Sequence, residues 1–323
     1  MKISIVMATY NGERFLRAQF DSFLRQTVRP DEVVITDDQS TDGTLEIIRD
    51  FAERAPFTVK YSVNRERLGY AANFNAALVL SDGDIVFISD QDDVWFPEKI
   101  EIINNIASNS SGLLFMNDAE LTNESLNPTK LTKLTQIRTA GLGDDSFVMG
   151  CCCAVRRELL DICLPIPSGV TAHDSWLVYF AEIFNARVIV EKVLQYYRRH
   201  EHNESKFIAN RTTRVTKLTV MAHRVRRLPE LFKSKQPLKD QNQLELIDLG
   251  IRNALTRELS DEKCYKLSLA LQKSTKKLAQ LEFRKRVRSY GLPRRVAYVV
   301  WFILMRGYKG SAGVKDIILD LAG

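Results

Sequence analysis

Short apolar runs alternate with segments of helical periodicity through residues 1–90, and this alternation constrains the fold more than any other feature. The runs are rich in Ile and Val, and the segments between them carry apolar residues three and four positions apart. Strand and helix in this order predict a parallel sheet with right-handed crossovers. The predicted strands are 3–8, 31–36, 58–63 and 85–88, and the predicted helices between them are 13–26, 44–55 and 68–80.

The charge distribution divides the chain into an acidic part and a basic part. Residues 1–205 contain 20 Lys and Arg against 30 Asp and Glu, a net charge of −10, and residues 206–323 contain 26 against 10, a net charge of +16, which together give +6. We therefore expect an α/β domain over 1–205 and a basic, mainly helical extension over 206–323. Weaker patterns predict strands at 113–117, 147–155, 186–190 and 193–197, and helices at 156–163, 170–184, 212–232, 238–259 and 262–287.

The five cysteines do not look like a disulfide framework, because their number is odd and Cys151, Cys152 and Cys153 are adjacent. The chain opens directly into a predicted strand instead of a signal-peptide core. Its longest apolar run, 296–305, is too short to span a bilayer. We expect a protein of the reducing cytoplasm.

An acidic cluster follows the fourth predicted strand. Asp90, Asp92 and Asp93 would repel one another unless a cation or a strong donor joined them, and hard oxygen ligands suit Mg²⁺ or Mn²⁺. Thr9 and Asp38 also follow predicted strand ends, and parallel sheets bind ligands outside the carboxyl ends of their strands. The alternative for the cluster alone is a polar turn in which Asp93 caps a helix. Several polar groups at one edge of one sheet favour a binding site.

Six segments carry polar and glycine-containing motifs: 4–11 (SIVMATYN), 36–44 (TDDQSTDGT), 69–75 (GYAANFN), 89–97 (SDQDDVWFP), 173–176 (HDSW) and 197–200 (YRRH). Together and in this order they resemble the family 2 glycosyltransferases, most closely the rhamnosyltransferase-like members that build bacterial surface polysaccharides. The resemblance covers about residues 1–205. It implies the GT-A fold, a Rossmann-like, mostly parallel sheet flanked by helices, and a nucleotide-sugar donor.

The nucleotide site implied by the resemblance lies at the first two strand ends. Thr9, Tyr10, Asn11 and Asp38 are expected to hold the nucleotide, with Asn75 near it. A carboxylate can accept hydrogen bonds from ribose hydroxyls or a base N–H. The alternatives are that Asp38 is a favourable charge at a helix N-terminus and that Asn75 belongs to the polar face of a helix.

The resemblance also implies a divalent metal, Mn²⁺ or Mg²⁺, at the D-x-D motif. Asp92, the second aspartate, is expected to be the direct ligand, and Asp90 to meet the ribose or the waters of the metal. Asp93 could orient that shell. A bound metal would neutralise charge on the leaving diphosphate.

A histidine after the last strand of the α/β part often completes this metal site in the family, and here it is His200. Imidazole suits Mn²⁺ better than Mg²⁺. The alternative is a surface histidine in a basic loop, and His202 is a close competitor. Arg198 and Arg199 could contact the diphosphate, although strand alternation directs only one of them inward; Arg199 is the candidate.

Asp174 is the candidate general base by the same resemblance. It would take the proton from an acceptor hydroxyl as the oxygen attacks the anomeric carbon, which gives a single displacement with inversion. The alternative is that Asp174 caps the following helix. His173 stands where the family commonly has an acid, so its role is open.

The acceptor side is expected near Gly150 and Cys151, with Asp93 and His173 close by. The adjacent cysteines most simply pack as small hydrophobes. Trp95 and Trp176 follow the two acidic motifs and could stack on a sugar, and core packing is the alternative.

The basic tail places the cluster 284–288 (RKRVR) and Arg294-Arg295 beside the apolar run 296–305. Basic residues beside a short apolar helix suit an anionic membrane surface. The alternatives are a helical subdomain with a solvated basic face and an interface for homo-oligomers. Nucleic-acid binding is not expected, because no known reading motif accompanies the charge.

These observations predict an inverting, metal-dependent glycosyltransferase at the cytoplasmic face of the membrane. The donor would be dTDP-rhamnose or a UDP-hexose, and the acceptor a cell-surface polysaccharide or lipid-linked glycan. A sugar nucleotidyltransferase is one alternative, although the segment 10–14 (YNGER) matches its Gly-rich basic loop poorly. The other is a non-catalytic protein that binds glycan or membrane. The presence of Asp92, Asp174 and His200 argues against it.

Overall fold

The computed structural model describes residues 1–201, 203, 205, 207–226, 236–305, 317, 320 and 321. The chain forms two compact units, Met1–Arg224 and Val225–Gly323. Residues 208–220, which follow the expected α/β part, pack with the first unit: Ile208, Val215 and Val220 are buried in a cluster with Ala140.

The first unit is built from nine strands and the helices that connect them. Its strands are β1 Ile3–Thr9, β2 Glu32–Asp37, β3 Thr58–Val63, β4 Ile85–Ser89, β5 Val94–Trp95, β6 Leu114–Thr122, β7 Pro128–Thr132, β8 Cys153–Arg156 and β9 Arg187–Arg198. Its described helices are α1 Glu13–Leu24, α2 Thr44–Arg54, α3 Tyr70–Leu80, α4 Lys99–Ser108, α5 Lys133–Thr139, α6 Arg157–Cys163 and α7 His173–Ile183, followed at the boundary by α8 Lys217–Arg226.

One sheet contains all nine strands in the order β3-β2-β1-β4-β8-β6-β9-β5, with β7 paired to β6. The first four strands are parallel, as the alternation predicts. In the other half, β8 runs antiparallel to β4 and β6, and β6 is parallel to β9. The predicted GT-A architecture is confirmed, and this second half makes the sheet mixed.

The centre of the sheet is apolar on both faces because helices cover both sides. Every residue of β2 and β4 is buried, which is typical of a strand in the middle of a parallel sheet. On one face α1 and α2 contribute Phe20 and Phe51, whose rings stack at 4.0 Å. The polar residues that follow β1, β2 and β4 therefore meet at the carboxyl edge of the sheet.

Two strand predictions were wrong in detail. Residues 147–155 do not form one strand: a 3₁₀ turn, Gly150–Cys152, precedes the short β8. The strands predicted at 186–190 and 193–197 are one strand, β9. Its pairing with β6 shifts register, so that Asn117 pairs with Val190 and Asp118 with Val193. Glu191 and Lys192, a polar pair that suggests a turn between two strands, form a bulge within one strand.

The second unit is helical over its described residues. It contains α9 Gln236–Leu255, α10 Asp261–Arg288 and α11 Leu292–Leu304. Val287 of α10 and Val299 and Phe302 of α11 are buried together, and Asp320 accepts hydrogen bonds from Arg284 and Arg288. Among the described helices none has the length and apolar content needed to cross a bilayer. The part of the predicted helix 212–232 beyond residue 226 lies outside the described residues.

Candidate active site

Hydrogen bonds join the loop after β1 to the loop after β4, and the end of β1 to the end of β2. Thr9 Oγ1 donates to Asp37 Oδ2 at 2.7 Å, which ties the ends of β1 and β2 together. Gln91 accepts from the Tyr10 amide and donates to the Tyr10 carbonyl, each at 3.0 Å. The predicted nucleotide residues Thr9 and Tyr10 therefore sit on one surface with the acidic loop after β4. Tyr10 is partly exposed, and the Arg67 guanidinium lies 3.7 Å from its ring centroid.

Asn11 and Asp38 shape the same edge through backbone contacts. Asn11 has a φ of 45°, a left-handed conformation that asparagine tolerates better than most residues, and its Oδ1 accepts from the Thr41 amide. Asp38 is buried, and its two oxygens accept from the Leu68 and Gly69 amides at 2.7 and 2.9 Å. Asp38 thus holds the loop that begins α3, the arrangement expected of an acidic group at a helix N-terminus.

Asn75 lies on α3 and contacts a different part of the unit. Its Oδ1 accepts from the Ile166 amide at 2.8 Å, which fixes the loop between α6 and α7. Asn73, two residues earlier on the same helix, is the asparagine that points to the end of β1, because its Nδ2 donates to the Thr9 carbonyl at 3.2 Å.

Asp92 and His200 meet although they lie 108 residues apart. His200 Nε2 and Asp92 Oδ2 are 2.7 Å from each other, and both side chains are largely buried. Asn203 donates to Asp92 Oδ2 at 3.0 Å, and its Oδ1 accepts from the His200 amide at 2.7 Å. The His200 ring packs against Phe15 of α1 at 4.7 Å. The competitor His202 lies outside the described residues.

The two aspartates near Asp92 differ in accessibility, because Asp93 is 0% exposed and Asp90 is only partly buried. The Asp93 carboxylate accepts from Gln195 Nε2 at 2.9 Å and from the Arg198 amide at 3.2 Å. Burial, with the charges of Asp92 and Asp90, raises the pKa of Asp93 well above its ordinary value. Burial also raises the pKa of Asp90 to about 7, with contributions from Asp92 and Asp174.

These residues fit a divalent cation. Asp92 and His200 offer an oxygen and a nitrogen in contact, a donor pair suited to Mn²⁺. Burial is the main cause of the raised pKa of Asp90, and the charges of Asp92 and Asp174 add to it; a cation would relieve this part of the shift. Asp90, Asp93 and Cys151 also bring ligand atoms within 4.8 Å of one another. Asp93 is fully buried and accepts two hydrogen bonds, whereas the side chains of His200 and Asp92 keep 8% and 13% exposure, so Asp92, His200 and Asp90 are the better candidates.

The turn Gly150–Cys152 separates this cluster from Asp174. A Cβ atom on Gly150 would lie 2.6 Å from His173 Nε2 and 3.5 Å from Asp174 Cβ. Only glycine therefore leaves room for the histidine. The Cys151 thiol lies on the acidic-cluster side, and burial raises its pKa well above the ordinary value, so it is not a reactive thiolate.

Asp174 does not cap its helix. The cap residue of α7 is Ala172, without a side-chain hydrogen bond, and Asp174 lies in the first turn, where Oδ1 accepts from the Ser175 amide at 2.7 Å. His173 is buried and stacks on Phe74 at 4.0 Å. Neither of its ring nitrogens has a hydrogen-bond partner among the described residues. Burial lowers the pKa of His173, which favours the neutral ring.

Arg198 and Arg199 face different surroundings, as strand alternation predicts. Arg198 is buried and donates to the Asp92 carbonyl at 2.7 Å, so it supports the metal loop. Arg199 lines a cavity of about 880 Å³ together with His200, Arg14 and Arg211. Glu124 and Glu201 also line this cavity, so side chains of both charges lie beside the candidate metal ligands.

The two tryptophans lie in the core. Trp95 packs edge-on against Phe23 at 4.8 Å, and Trp176 packs against Phe180 at 5.0 Å and donates Nε1–H to the Cys163 carbonyl. Both are at most 3% exposed, so neither ring offers a face to a sugar in this conformation.

Lys99, which sequence reasoning missed, lies beneath the site. It is 0% exposed, and its Nζ donates to the Cys151 carbonyl at 2.9 Å and to Gln195 Oε1. Gln195 in turn binds Asp93. Asn203 and Gln195 were also missed. Nothing in the sequence marks these residues, because Lys99 lies between Glu98 and Ile100 in a charged helix start and an isolated Asn or Gln carries no signal.

Comparison with known proteins identifies the family. Residues 4–163 match the family described as Glycosyl transferase family 2. An uncharacterized glycosyltransferase of Nostoc is 29% identical over 224 residues, 66% of this chain and 69% of that protein. The dTDP-rhamnosyl transferase RfbG of Shigella flexneri is 28% identical over 225 residues, 61% and 73% of the two chains. A glucosyltransferase of Escherichia coli, WfgD, is 28% identical over 147 residues, 44% of this chain and only 57% of that one.

Solved structures agree on the fold. Residues 1–349 of TarS of S. aureus in complex with UDP have a TM-score of 0.53 and 18% identity, covering 93% of this chain and 78% of that one. The mannosyltransferase PcManGT of Pyrobaculum calidifontis, in complex with GDP-Man and Mn²⁺, has a TM-score of 0.52 and 17% identity, covering 99% and 86%. Through residues 4–163 the chain belongs to glycosyltransferase family 2, and it is a glycosyltransferase with the GT-A fold.

Proposed function

We propose that the protein is an inverting, metal-dependent glycosyltransferase that moves a sugar from a nucleotide-diphosphate donor to a hydroxyl group of a surface polysaccharide or lipid-linked glycan. One observation carries the proposal. Asp92 and His200, from distant parts of the chain, meet at 2.7 Å beside the loop that follows β4. A metal site, a diphosphate-accepting edge and a carboxylate base are the parts that this reaction requires.

The chemistry assigned to the chain is one displacement. The acceptor oxygen forms a bond to the anomeric carbon while the bond from that carbon to the diphosphate oxygen breaks, and the acceptor proton passes to Asp174. Asp174 is partly exposed and lies in the first turn of α7, where its carboxylate is favoured. A bound Mn²⁺ or Mg²⁺, held by Asp92 and His200 with Asp90 nearby, would stabilise the negative charge of the departing diphosphate. Arg198 and Asn203 keep Asp92 and His200 in place.

The donor and the acceptor are proposed at the level of chemical class. A dTDP- or UDP-linked donor is supported by relatives whose names specify dTDP-rhamnose and UDP-glucose transfer. Neighbours of the fold were solved with UDP-GlcNAc and with GDP-Man and Mn²⁺. The name of WfgD specifies a diphosphoundecaprenol-linked acceptor. A lipid-linked acceptor of that kind would place the enzyme at the inner face of the membrane.

Replacing the base tests the assignment. Asp174→Asn keeps the size of the side chain and removes its basicity, so we expect turnover to fall by about 10²- to 10⁴-fold. Binding of the nucleotide in the presence of Mn²⁺, measured by calorimetry, should stay within about twofold of wild type because Asp174 lies on the acceptor side. Turnover equal to wild type would refute the base assignment, and loss of nucleotide binding would show that Asp174 belongs to the donor site.

A further inference from the structure

Helix α11 has an apolar face that no described residue covers. Val299 and Phe302, three residues apart on the helix, are buried against α10. The uncovered residues follow one another at helical spacing and so share a side. They are Leu292, Val296, Val300, Ile303 and Leu304, which range from 41% to 74% exposed.

Exposed basic residues lie at the end of α10 and at the start of α11. Residues 261–305 contain 11 Lys and Arg against 3 Asp and Glu, a net charge of +8. Lys285 and Arg286, in the last turn of α10, and Arg294, in the first turn of α11, are exposed. Arg295 is held by the Tyr290 and Leu321 carbonyls and belongs to the packing of the unit.

We propose that this face of α11 is the membrane-docking surface of the protein and that it lies along an anionic phospholipid bilayer. The apolar side chains would enter the boundary between headgroups and acyl chains, and the basic side chains would meet lipid phosphates. At 13 residues α11 is about 20 Å long, a length that suits an in-plane helix. The proposal extends the proposed function, since a lipid-linked acceptor stays in the bilayer, but its test needs no transferase activity.

Charge selects a bilayer over a second copy of the chain as the occupant. Residues 225–323 contain 21 Lys and Arg against 10 Asp and Glu, a net charge of +11. Pairing two such units through α11 would bring like charges together, whereas an anionic surface is complementary.

The chain contains its own reporter of docking. It has three tryptophans, of which Trp95 and Trp176 are buried in the first unit. Trp301 of α11 is 48% exposed, contacts the Phe283 ring of α10 at 5.7 Å and lies three residues before Leu304, at the edge of the apolar face. Vesicles of phosphatidylcholine mixed with phosphatidylglycerol should shift the tryptophan emission to the blue, because only Trp301 leaves water. Vesicles of phosphatidylcholine alone should give a much smaller shift. Trp301→Phe should abolish the shift while the protein still sediments with the anionic vesicles.

A matched pair of valines makes the test specific. Val300 of α11 and Val79 of α3 are both half exposed, at 50% and 54%, on helices. Val300→Glu should lower the partition coefficient for anionic vesicles on the order of tenfold, and Val79→Glu should leave it unchanged. Circular dichroism and the unfolding midpoint of both variants establish that they are folded.

Three results would overturn the proposal. Equal binding to neutral and anionic vesicles would remove its electrostatic basis. Equal effects of the two glutamate substitutions would show that α11 is not the docking face. Dimers in sedimentation velocity that Val300→Glu dissociates, without vesicle binding by the wild-type protein, would identify a second copy as the occupant.

Discussion

Lys99→Met removes the buried ammonium group that joins the acidic loop to the turn beside Asp174. Lys99 Nζ donates to the Cys151 carbonyl and to Gln195 Oε1 and lies 4.0 Å from the Trp95 ring centroid. The substitution deprives two buried oxygens of this donor, at about 1–3 kcal/mol each, and methionine removes the cost of burying a charge. We expect the free energy of unfolding to fall by about 2–4 kcal/mol, measured by urea denaturation.

The same substitution should also change metal use. Gln195, released from Lys99, no longer presents its amide firmly to Asp93, the neighbour of Asp92. We expect the Mn²⁺ concentration for half-maximal turnover to rise on the order of tenfold, as is typical when a supporting partner of a ligand is lost.

Arg156→Met is the control for general destabilisation. Arg156 is a cation that donates to the Gly112 and Ser110 carbonyls at 2.8 and 2.9 Å, and it pairs with Ile85 at the other end of β4. Arg156→Met should lower the free energy of unfolding by about as much as Lys99→Met and leave the Mn²⁺ requirement unchanged. Equal changes in the Mn²⁺ requirement for both variants, or none for Lys99→Met, would refute the reasoning.

Three further predictions address the site and the pH dependence of stability. His200→Ala should weaken Mn²⁺ binding by about tenfold or more in calorimetry with nucleotide present, because the ring contacts Asp92 at 2.7 Å; unchanged affinity would assign the histidine to packing. Gly150→Ala should lower stability by about 1–3 kcal/mol and reduce turnover, since its Cβ would lie 2.6 Å from His173 Nε2. Gly291→Ala, where nothing lies within 4 Å of the new Cβ, should leave turnover unchanged and cost at most about 1 kcal/mol, because Gly291 is the N-cap of α11. Burial lowers the pKa of Lys133 to about 7, below the roughly 10.4 of an unfolded chain. Between these two pH values the unfolded state binds more protons than the folded state, so the free energy of unfolding should rise with pH. Lys133→Met should flatten this rise when it is measured by urea denaturation at several pH values.

The first half of the sheet was predictable because β1, β2 and β4 contain short apolar runs, and β3, at the edge of the sheet, alternates Val59, Tyr61 and Val63 with polar residues. β3 was placed at its observed bounds, and β1, β2 and β4 within one residue at each end. These strands are buried or flanked by amphipathic helices, so each one can be recognised from the polarity of its own residues and of its neighbours in sequence. The second half depends on non-local pairing. β9 carries two polar residues at its bulge, and β8 is a short strand after a 3₁₀ turn, so neither can be delimited from its own sequence.

The candidate site, like the sheet, contains residues that could be predicted from the sequence and residues that could not. Asp92, His200 and Asp174 could be proposed because motifs of the family contain them. The residues that hold them could not, because Lys99, Gln195 and Asn203 are single polar residues whose partners lie far away in sequence. The side-chain contacts of Asp38 and Asn75, likewise, depend on which backbone amides the fold presents to them.

The most direct test of the central claim is to measure the release of free nucleotide by the purified protein from a panel of dTDP-, UDP- and GDP-sugars. Each donor is tested with Mn²⁺, with Mg²⁺ and with EDTA, in the presence of a diphosphate-lipid-linked glycan acceptor. The account predicts release from one dTDP- or UDP-linked donor that requires the acceptor and the metal and is abolished by EDTA. The anomeric configuration of the product should be opposite to that of the donor. Release that is unaffected by EDTA, or a product of retained configuration, would contradict it.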